Sequence, residues 1–236
     1  MDGTPNGWPA ITRGNGPHAG RPIIHAGAGL GEATTVLIAL HGRGGAPDDM
    51  IALSVHLGIP DSAVVLALGA AARSWWPDSF LAPLAANEPD LSSALSVVSD
   101  LVDDLTSLGV EPQRIALMGF SQGACLALEA AARMAKPLRA VAAFSGGLVG
   151  TADAGGVARD DLYGRPSKAF GYSGRLDGVP ILIGCHERDP HIPLARVRES
   201  EDVLSGMGAD VDVITIPGTG HGIVEAEVVW LRERLG

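Results

Sequence analysis

Residues 114–131 read RIALMGFSQGACLALEAA and contain a serine between two glycines at the junction of two different patterns. The apolar run over residues 114–118 predicts a buried β-strand, and a helical pattern begins at Gln122. Glycines two residues before and after Ser121 allow a sharp strand-to-helix turn that holds a serine in strained backbone angles. This G-x-S-x-G arrangement is typical of a nucleophile elbow, so Ser121 is the predicted nucleophile.

The same alternation of strand and helix patterns continues on both sides of this turn. Short apolar runs alternate with longer amphipathic ones, which predicts an α/β fold with a mostly parallel central sheet flanked by helices on both faces. The predicted strands cover residues 34–40, 63–68, 114–118, 140–144, 179–184 and 211–216. The predicted helices cover residues 47–57, 91–108, 122–135, 194–207 and 225–235.

Composition limits the class of protein. The 236 residues are 46% hydrophobic and carry a net charge of −10, without a basic stripe or a span-length apolar run. We therefore expect no nucleic-acid partner and no stable membrane association. The Gly/Pro-rich start predicts a flexible arm over residues 1–20, followed by one domain over residues 21–236. The start lacks a secretory pattern, and the only two cysteines, Cys125 and Cys185, lie in apolar stretches. This predicts free thiols and a cytoplasmic location, with a disulfide or a metal pair as the alternative for the cysteines.

A serine nucleophile needs a base, and His221 is the candidate. It lies in the Gly-rich stretch 218–222, between the last predicted strand and the last predicted helix, where an α/β sheet of this kind delivers its catalytic histidine. A solvated turn residue is the plainer interpretation of one such histidine taken alone. His191 is a weaker candidate for the base and is expected to be structural or to lie at the edge of the pocket.

The acid that orients the histidine should follow the penultimate strand. Asp189 does so, at the start of the stretch DPHIP over residues 189–193. Glu187 and Asp177 are competitors, but Asp177 precedes the strand and should face the other end of the sheet. The predicted order along the chain is therefore Ser121, Asp189, His221.

Two backbone amides are candidates for an oxyanion hole. The amide of Gln122 stands at a predicted helix start, directly after the serine. The stretch HGRGG over residues 41–45 follows an early strand, and the amide of Arg43 is the second candidate. Neither common phosphate-binding glycine motif fits this stretch, and metal-ligand spacing is absent from the sequence, so no cofactor and no metal is predicted.

Taken together, these stretches resemble the phospholipase/carboxylesterase family that includes the acyl-protein thioesterases. The resemblance runs from about residue 34 to the C-terminus and rests on the HGxGG loop, the GFSQG elbow, the DPHIP loop and the GTGHG loop. It implies an α/β-hydrolase fold, a Ser121–Asp189–His221 triad and an oxyanion hole of the Arg43 and Gln122 amides. It also implies that Trp75 and Trp76 form part of the substrate pocket; the alternative is that both simply belong to the core. Arg43 stands where eukaryotic thioesterases tend to have an apolar residue.

The sequence thus predicts a cofactor-free serine carboxylesterase acting on short to medium acyl esters, with lysophospholipids and thioesters as further candidate substrates. A catalytically silent small-molecule binding protein of the same fold is the alternative. A dienelactone-hydrolase-like enzyme would normally have cysteine at the nucleophile position. The Gly-rich segment over residues 146–178 is expected either to cover or flank the pocket or to be a plain surface excursion. The oligomeric state is left open.

Overall fold

The computed structural model describes residues 7–151 and 156–236. Its strands are β1 (Ile23–Gly27), β2 (Thr35–Leu40), β3 (Ala63–Leu68), β4 (Ile115–Phe120), β5 (Ala140–Phe144), β6 (Pro180–Arg188) and β7 (Asp210–Thr219). Its helices are α1 (Pro47–His56), α2 (Asp90–Ser107), α3 (Gln122–Met134), α4 (Leu194–Gly206) and α5 (Glu225–Leu235).

The seven strands form one sheet in the order β1-β3-β2-β4-β5-β6-β7. All pairs are parallel except β1, which runs antiparallel to β3 with Ile23 opposite Leu68. Strand β4 occupies the centre, so the turn after Phe120 opens at the carboxyl edge of the sheet, where α/β sheets place their sites. The predicted mostly parallel sheet is confirmed.

Both faces of the sheet are covered by helices, as predicted. Val36, Ile38 and Leu40 of β2 belong to the core layer under α2, α3 and α4, whereas Leu37 and Ala39 belong to the layer under α1 and α5. Successive side chains of a strand point to opposite faces, so a strand covered on both sides is apolar throughout. This is why β2 and its neighbours are continuous apolar runs in the sequence.

Two parts of the fold differ from the sequence-based expectations. Strand β1 was not predicted, because its residues IIHAG show neither clear alternation nor a long apolar run. The edge of β3 supplies its hydrogen-bond partner through tertiary structure, which a local pattern does not reveal. Strands β4, β6 and β7 also extend beyond their predicted ends, to Phe120, Arg188 and Thr219.

The start of the chain is packed where the structure describes it. Trp8 is fully buried and its Nε1 donates to the carbonyl of Ala28 (3.1 Å). His18 is also fully buried, and its Nδ1 accepts a hydrogen bond from the amide of Ala71 (2.9 Å) while its Nε2 donates to the carbonyl of Trp75 (3.0 Å). The expectation of a flexible arm over residues 1–20 is therefore wrong for residues 7–20, because a few side chains anchor this Gly/Pro-rich stretch; residues 1–6 lie outside the described part.

A helix that crosses a bilayer needs about 20 consecutive, mostly apolar residues. Among the described helices, none is long and apolar enough to cross a bilayer.

Candidate active site

Ser121 stands at the tip of a sharp turn between β4 and α3. Its backbone angles, φ 54° and ψ −116°, are strained for a residue with a side chain. A Cβ on Gly119 would lie 2.1 Å from the carbonyl oxygen of Gly123, and a Cβ on Gly123 would lie 2.1 Å from that of Leu40. The two glycines are thus required by the close approach of backbone to backbone, which is the reason that the sequence pattern anticipates.

The structure brings Ser121, His221 and Asp189 into one chain of contacts. His221 Nε2 lies 2.9 Å from Ser121 Oγ, and His221 Nδ1 lies 2.7 Å from Asp189 Oδ2. A carboxylate only accepts hydrogen bonds, so Nδ1 carries the proton and Nε2 presents its lone pair to the serine. This is the arrangement in which an imidazole can take a proton from a serine hydroxyl.

Asp189 is buried but well provided with donors. Its Oδ1 accepts the backbone amides of His191 (2.8 Å) and Ile192 (3.0 Å), and its Oδ2 accepts from His221. Burial by itself would raise the pKa of the Asp189 carboxyl, but these hydrogen bonds outweigh it and hold that pKa below its usual value. Asp189 is therefore an anion that fixes the orientation of the imidazole.

The competing side chains lie elsewhere. Glu187 is exposed and accepts the amide of Gly218 (3.3 Å), while Asp177 pairs with Arg175 at the opposite end of β6. His191 approaches the edge of the His221 ring, with 4.9 Å between ring centroids. Among the histidines and carboxylates considered from the sequence, Asp189 and His221 are those that form the contact chain to Ser121.

The loop after β2 borders the serine. A Cβ on Gly42 would lie 3.4 Å from Ser121 Cβ, so this loop passes directly beside the elbow. His41 holds its shape, because Nδ1 donates to the carbonyl of Gly42 (2.7 Å) and Nε2 accepts the amide of Ala70 (3.1 Å). Burial lowers the pKa of His41, which keeps the imidazole neutral and this pair of bonds intact. Arg43 and Gln122, the residues with the predicted oxyanion amides, both line the cavity at Ser121.

A cavity of about 530 Å³ opens at Ser121 and His221. Trp76 lines it, together with Pro77, Phe80 and Ile192 as its other apolar side chains from outside the elbow and α3. Trp75 does not line it: this side chain is fully buried, stacks on His41 with 5.1 Å between ring centroids and donates from Nε1 to the carbonyl of His41 (2.8 Å). The prediction that both tryptophans form the pocket is therefore wrong for Trp75, because its ring packs against His41 and not against the cavity.

Several residues at the cavity were not singled out from the sequence. Phe120 lies against the catalytic histidine candidate, with 5.2 Å between its ring centroid and that of His221. Cys125 lines the cavity one helical turn after Ser121, and burial raises the pKa of its thiol to about 12, so it stays protonated. The spacing of four residues within a predicted helix was a signal for Cys125. For Phe80 and Ile192 no local signal exists.

The segment over residues 146–178, of which 152–155 are not described, contacts the acid loop. The hydroxyl of Tyr163 donates to the backbone carbonyl of Asp189. None of its described residues lines the cavity at Ser121. The segment thus flanks the acid side of the site instead of covering the pocket.

The side chains of the types that can bind a metal ion are dispersed over the described part of the fold. In the part of the chain that the structure describes, no group of three or more His, Cys, Asp or Glu side chains is placed to hold a metal ion.

Comparison with known proteins agrees with this architecture. Residues 23–154 match a model of the phospholipase/carboxylesterase family. Acyl-protein thioesterase 1 of Gibberella zeae is 30% identical over 144 residues, which is 58% of this chain and 54% of that protein. Lysophospholipase-like protein 1 of Mus musculus is 27% identical over 150 residues, 61% of this chain and 57% of that protein. The chain thus spans little more than half the length of these curated relatives.

Solved structures give a longer match. A crystal structure of a phospholipase/carboxylesterase from Dyadobacter fermentans is 33% identical, with a TM-score of 0.81 over 94% of this chain and 99% of that one. Esterase PE8 is 27% identical, with a TM-score of 0.66 over 90% of this chain and 98% of that one. Because the family model covers more than half of the sequence and this fold superposes on a solved phospholipase/carboxylesterase over nearly its whole length, the chain belongs to the phospholipase/carboxylesterase family.

Proposed function

We propose that this chain is a serine hydrolase of carboxylic esters, with Ser121 as nucleophile, His221 as base and Asp189 as the group that orients it. The observation that carries the proposal is the unbroken contact chain from Asp189 Oδ2 through His221 to Ser121 Oγ, with spacings of 2.7 and 2.9 Å, at the mouth of a cavity. Family membership supports the same reaction, since the relatives include a thioesterase and an esterase by name.

The proposed reaction proceeds in two halves. Ser121 Oγ attacks the ester carbonyl while His221 Nε2 takes the hydroxyl proton, and His221 then gives that proton to the leaving alcohol. Water, activated by the same imidazole, releases the acid from Ser121. The amides of Arg43 and Gln122 are proposed to bind the oxyanion in both halves, because both residues border Ser121 at the cavity.

We propose short to medium acyl chains as the preferred acid part of the substrate. The cavity is confined to about 530 Å³, and Arg43 and Asp78 stand in its lining beside Trp76 and Phe80. A long acyl chain would have to pass these charged groups and desolvate them, which is unfavourable. Thioesters and lysophospholipids remain candidate substrates within the same mechanism, and a panel of esters and thioesters of graded acyl length separates them.

Reaction with a fluorophosphonate tests the nucleophile. We expect wild-type protein to be labelled at one site and to hydrolyse p-nitrophenyl butyrate, and Ser121→Ala to lose the label and about three or more orders of magnitude in kcat. Ser79→Ala, a change of the same kind in the lining of the same cavity, is the control and should keep the label. Wild-type protein that neither reacts with the probe nor turns over any ester of the panel would instead indicate a catalytically silent binding protein.

A further inference from the structure

Two side chains of the site, those of Gln122 and Arg43, bind the stretch Ser74–Asp78, in addition to His18 on the carbonyl of Trp75 and Asn87 on the amide of Asp78. Gln122 Oε1 accepts the amide of Trp75 (3.0 Å) and the hydroxyl of Ser74 (3.3 Å), and its Nε2 donates to the carbonyl of Trp76 (2.9 Å). Gln122 is buried, so the amide group at the end of its side chain depends on these three partners.

Arg43 also binds this stretch, and it shares the hydroxyl of Ser74 with Gln122. Its Nη1 donates to the hydroxyl of Ser74 (3.0 Å) and to the carbonyl of Pro77 (2.9 Å), and its Nη2 donates to the carbonyl of Asp78 (2.6 Å). All three acceptors are neutral oxygens, and no carboxylate of the described residues forms an ion pair with this guanidinium. The planar guanidinium of Arg43 therefore acts as a fork of N–H donors that binds two backbone carbonyls and one hydroxyl of this stretch.

The stretch Ser74–Asp78 overlaps the wall of the cavity. Five consecutive residues, 76–80, line the cavity at Ser121. Between 74 and 78 the chain forms neither helix nor strand, so regular backbone hydrogen bonding does not hold it in place. The position of residues 76–78 relative to the serine consequently depends on side chains from outside the stretch, namely those of Gln122, Arg43 and Asn87.

We propose that the side chains of Gln122 and Arg43 are positioning residues that fix the wall 76–80 relative to Ser121 and thereby set acyl-chain selectivity. The proposal rests on the proposed esterase function and deepens it. These are the residues whose backbone amides are assigned to the oxyanion hole, so each of them would connect the site of charge development with the wall that contacts the acyl chain. When both side chains hold the wall in place, the wall can contact each methylene that is added to the acyl chain of the substrate.

Two variants cut these bonds without adding charge or much volume. Gln122→Met removes all three bonds of the amide group, and Arg43→Met removes the fork; each leaves the backbone amide in place. Gln113→Met and Arg165→Met, at exposed positions away from the cavity, are the matched controls. Each protein is titrated with fluorophosphonate, and kcat and KM are then measured per active site on the p-nitrophenyl esters of acetate, propionate and butyrate.

In the wild-type protein kcat/KM should rise by up to about fourfold per added methylene while the pocket accommodates it. For both variants we expect the butyrate-to-acetate ratio of kcat/KM to fall at least about fourfold, mainly through KM for butyrate, and Arg43→Lys to recover part of the loss. Both controls should keep the wild-type ratio. A purely structural effect would lower acetate and butyrate turnover together and leave the ratio unchanged.

Ratios within about twofold of wild type in both Gln122→Met and Arg43→Met would overturn the proposal. If Gln122→Met does not fold, Arg43→Met and Arg43→Lys decide it, because Arg43 is exposed and lies outside the core. Failure of the proposed function would look different, since the wild-type protein itself would then neither be labelled nor hydrolyse acetate esters.

Discussion

Replacing Asp189 with asparagine tests the tautomer of His221 that the structure implies. Asp189 Oδ1 accepts two backbone amides, so an asparagine would place its carbonyl oxygen there and turn its NH2 group toward His221. His221 Nδ1 would then have to accept a hydrogen bond, and its proton would move to Nε2. An imidazole that presents N–H to Ser121 Oγ cannot take the serine proton.

The expected loss follows from that change of tautomer. A triad histidine held in the wrong tautomer by an asparagine loses about four orders of magnitude in kcat while the geometry is preserved, which corresponds to about 5 kcal/mol of transition-state stabilisation. Because the Asp189→Asn side chain would keep both amide contacts of Oδ1, we expect a folded protein with KM close to wild type and kcat reduced by about that factor. Hydrolysis of p-nitrophenyl butyrate and the rate of fluorophosphonate labelling, both at neutral pH, measure it.

The two competing carboxylates provide matched controls. Asp177→Asn removes an exposed carboxylate at the far end of β6, and Glu187→Gln removes an exposed one whose observed hydrogen bond is to the amide of Gly218. Both should retain turnover within about threefold of wild type. An Asp189→Asn protein with kcat within about tenfold of wild type, or a larger loss in Glu187→Gln, would refute the assignment of the acid.

Further changes test the histidines, a buried acid and the N-terminal stretch. His221→Ala should lose about as much kcat as Ser121→Ala, whereas His191→Ala should lose at most about tenfold; the reverse order would make His191 the base. Burial raises the pKa of Glu227 to about 7. The contribution of protonated Glu227 to the free energy of unfolding is therefore fully present below about pH 4.5 and is lost as the pH rises through 7. Urea unfolding at about pH 8 should therefore show Glu227→Gln more stable than wild type by up to about 3 kcal/mol, with no gain at about pH 4.5. Trp8→Ala should lower the free energy of unfolding by about 3–5 kcal/mol. A loss below about 1 kcal/mol would instead support the expectation that the start of the chain is a flexible arm.

Much of the fold could be predicted from the sequence because its signals are local. A strand covered on both faces must be apolar throughout, so β2, β3 and β5 are visible as runs that match the observed bounds within one residue. The elbow is local at Gly119, whose Cβ would meet Gly123 within the turn, whereas Gly123 is required by the backbone of Leu40, which is remote in sequence. The chain order of Ser121, Asp189 and His221 followed from the position of each after a strand, and the carboxyl ends of parallel strands lie at one edge.

Only the tertiary structure decided how these loops meet. The 2.7 and 2.9 Å contacts of His221 join residues 32 and 100 positions apart, and no local pattern contains such distances. The burial of Trp8, the pairing of β1 with β3 and the split between Trp75 and Trp76 likewise depend on partners remote in sequence. The bonds from Arg43 and Gln122 to the wall are of the same kind. Residue type and spacing determined which groups reach the sheet edge, whereas packing across the chain determined what each of them touches there.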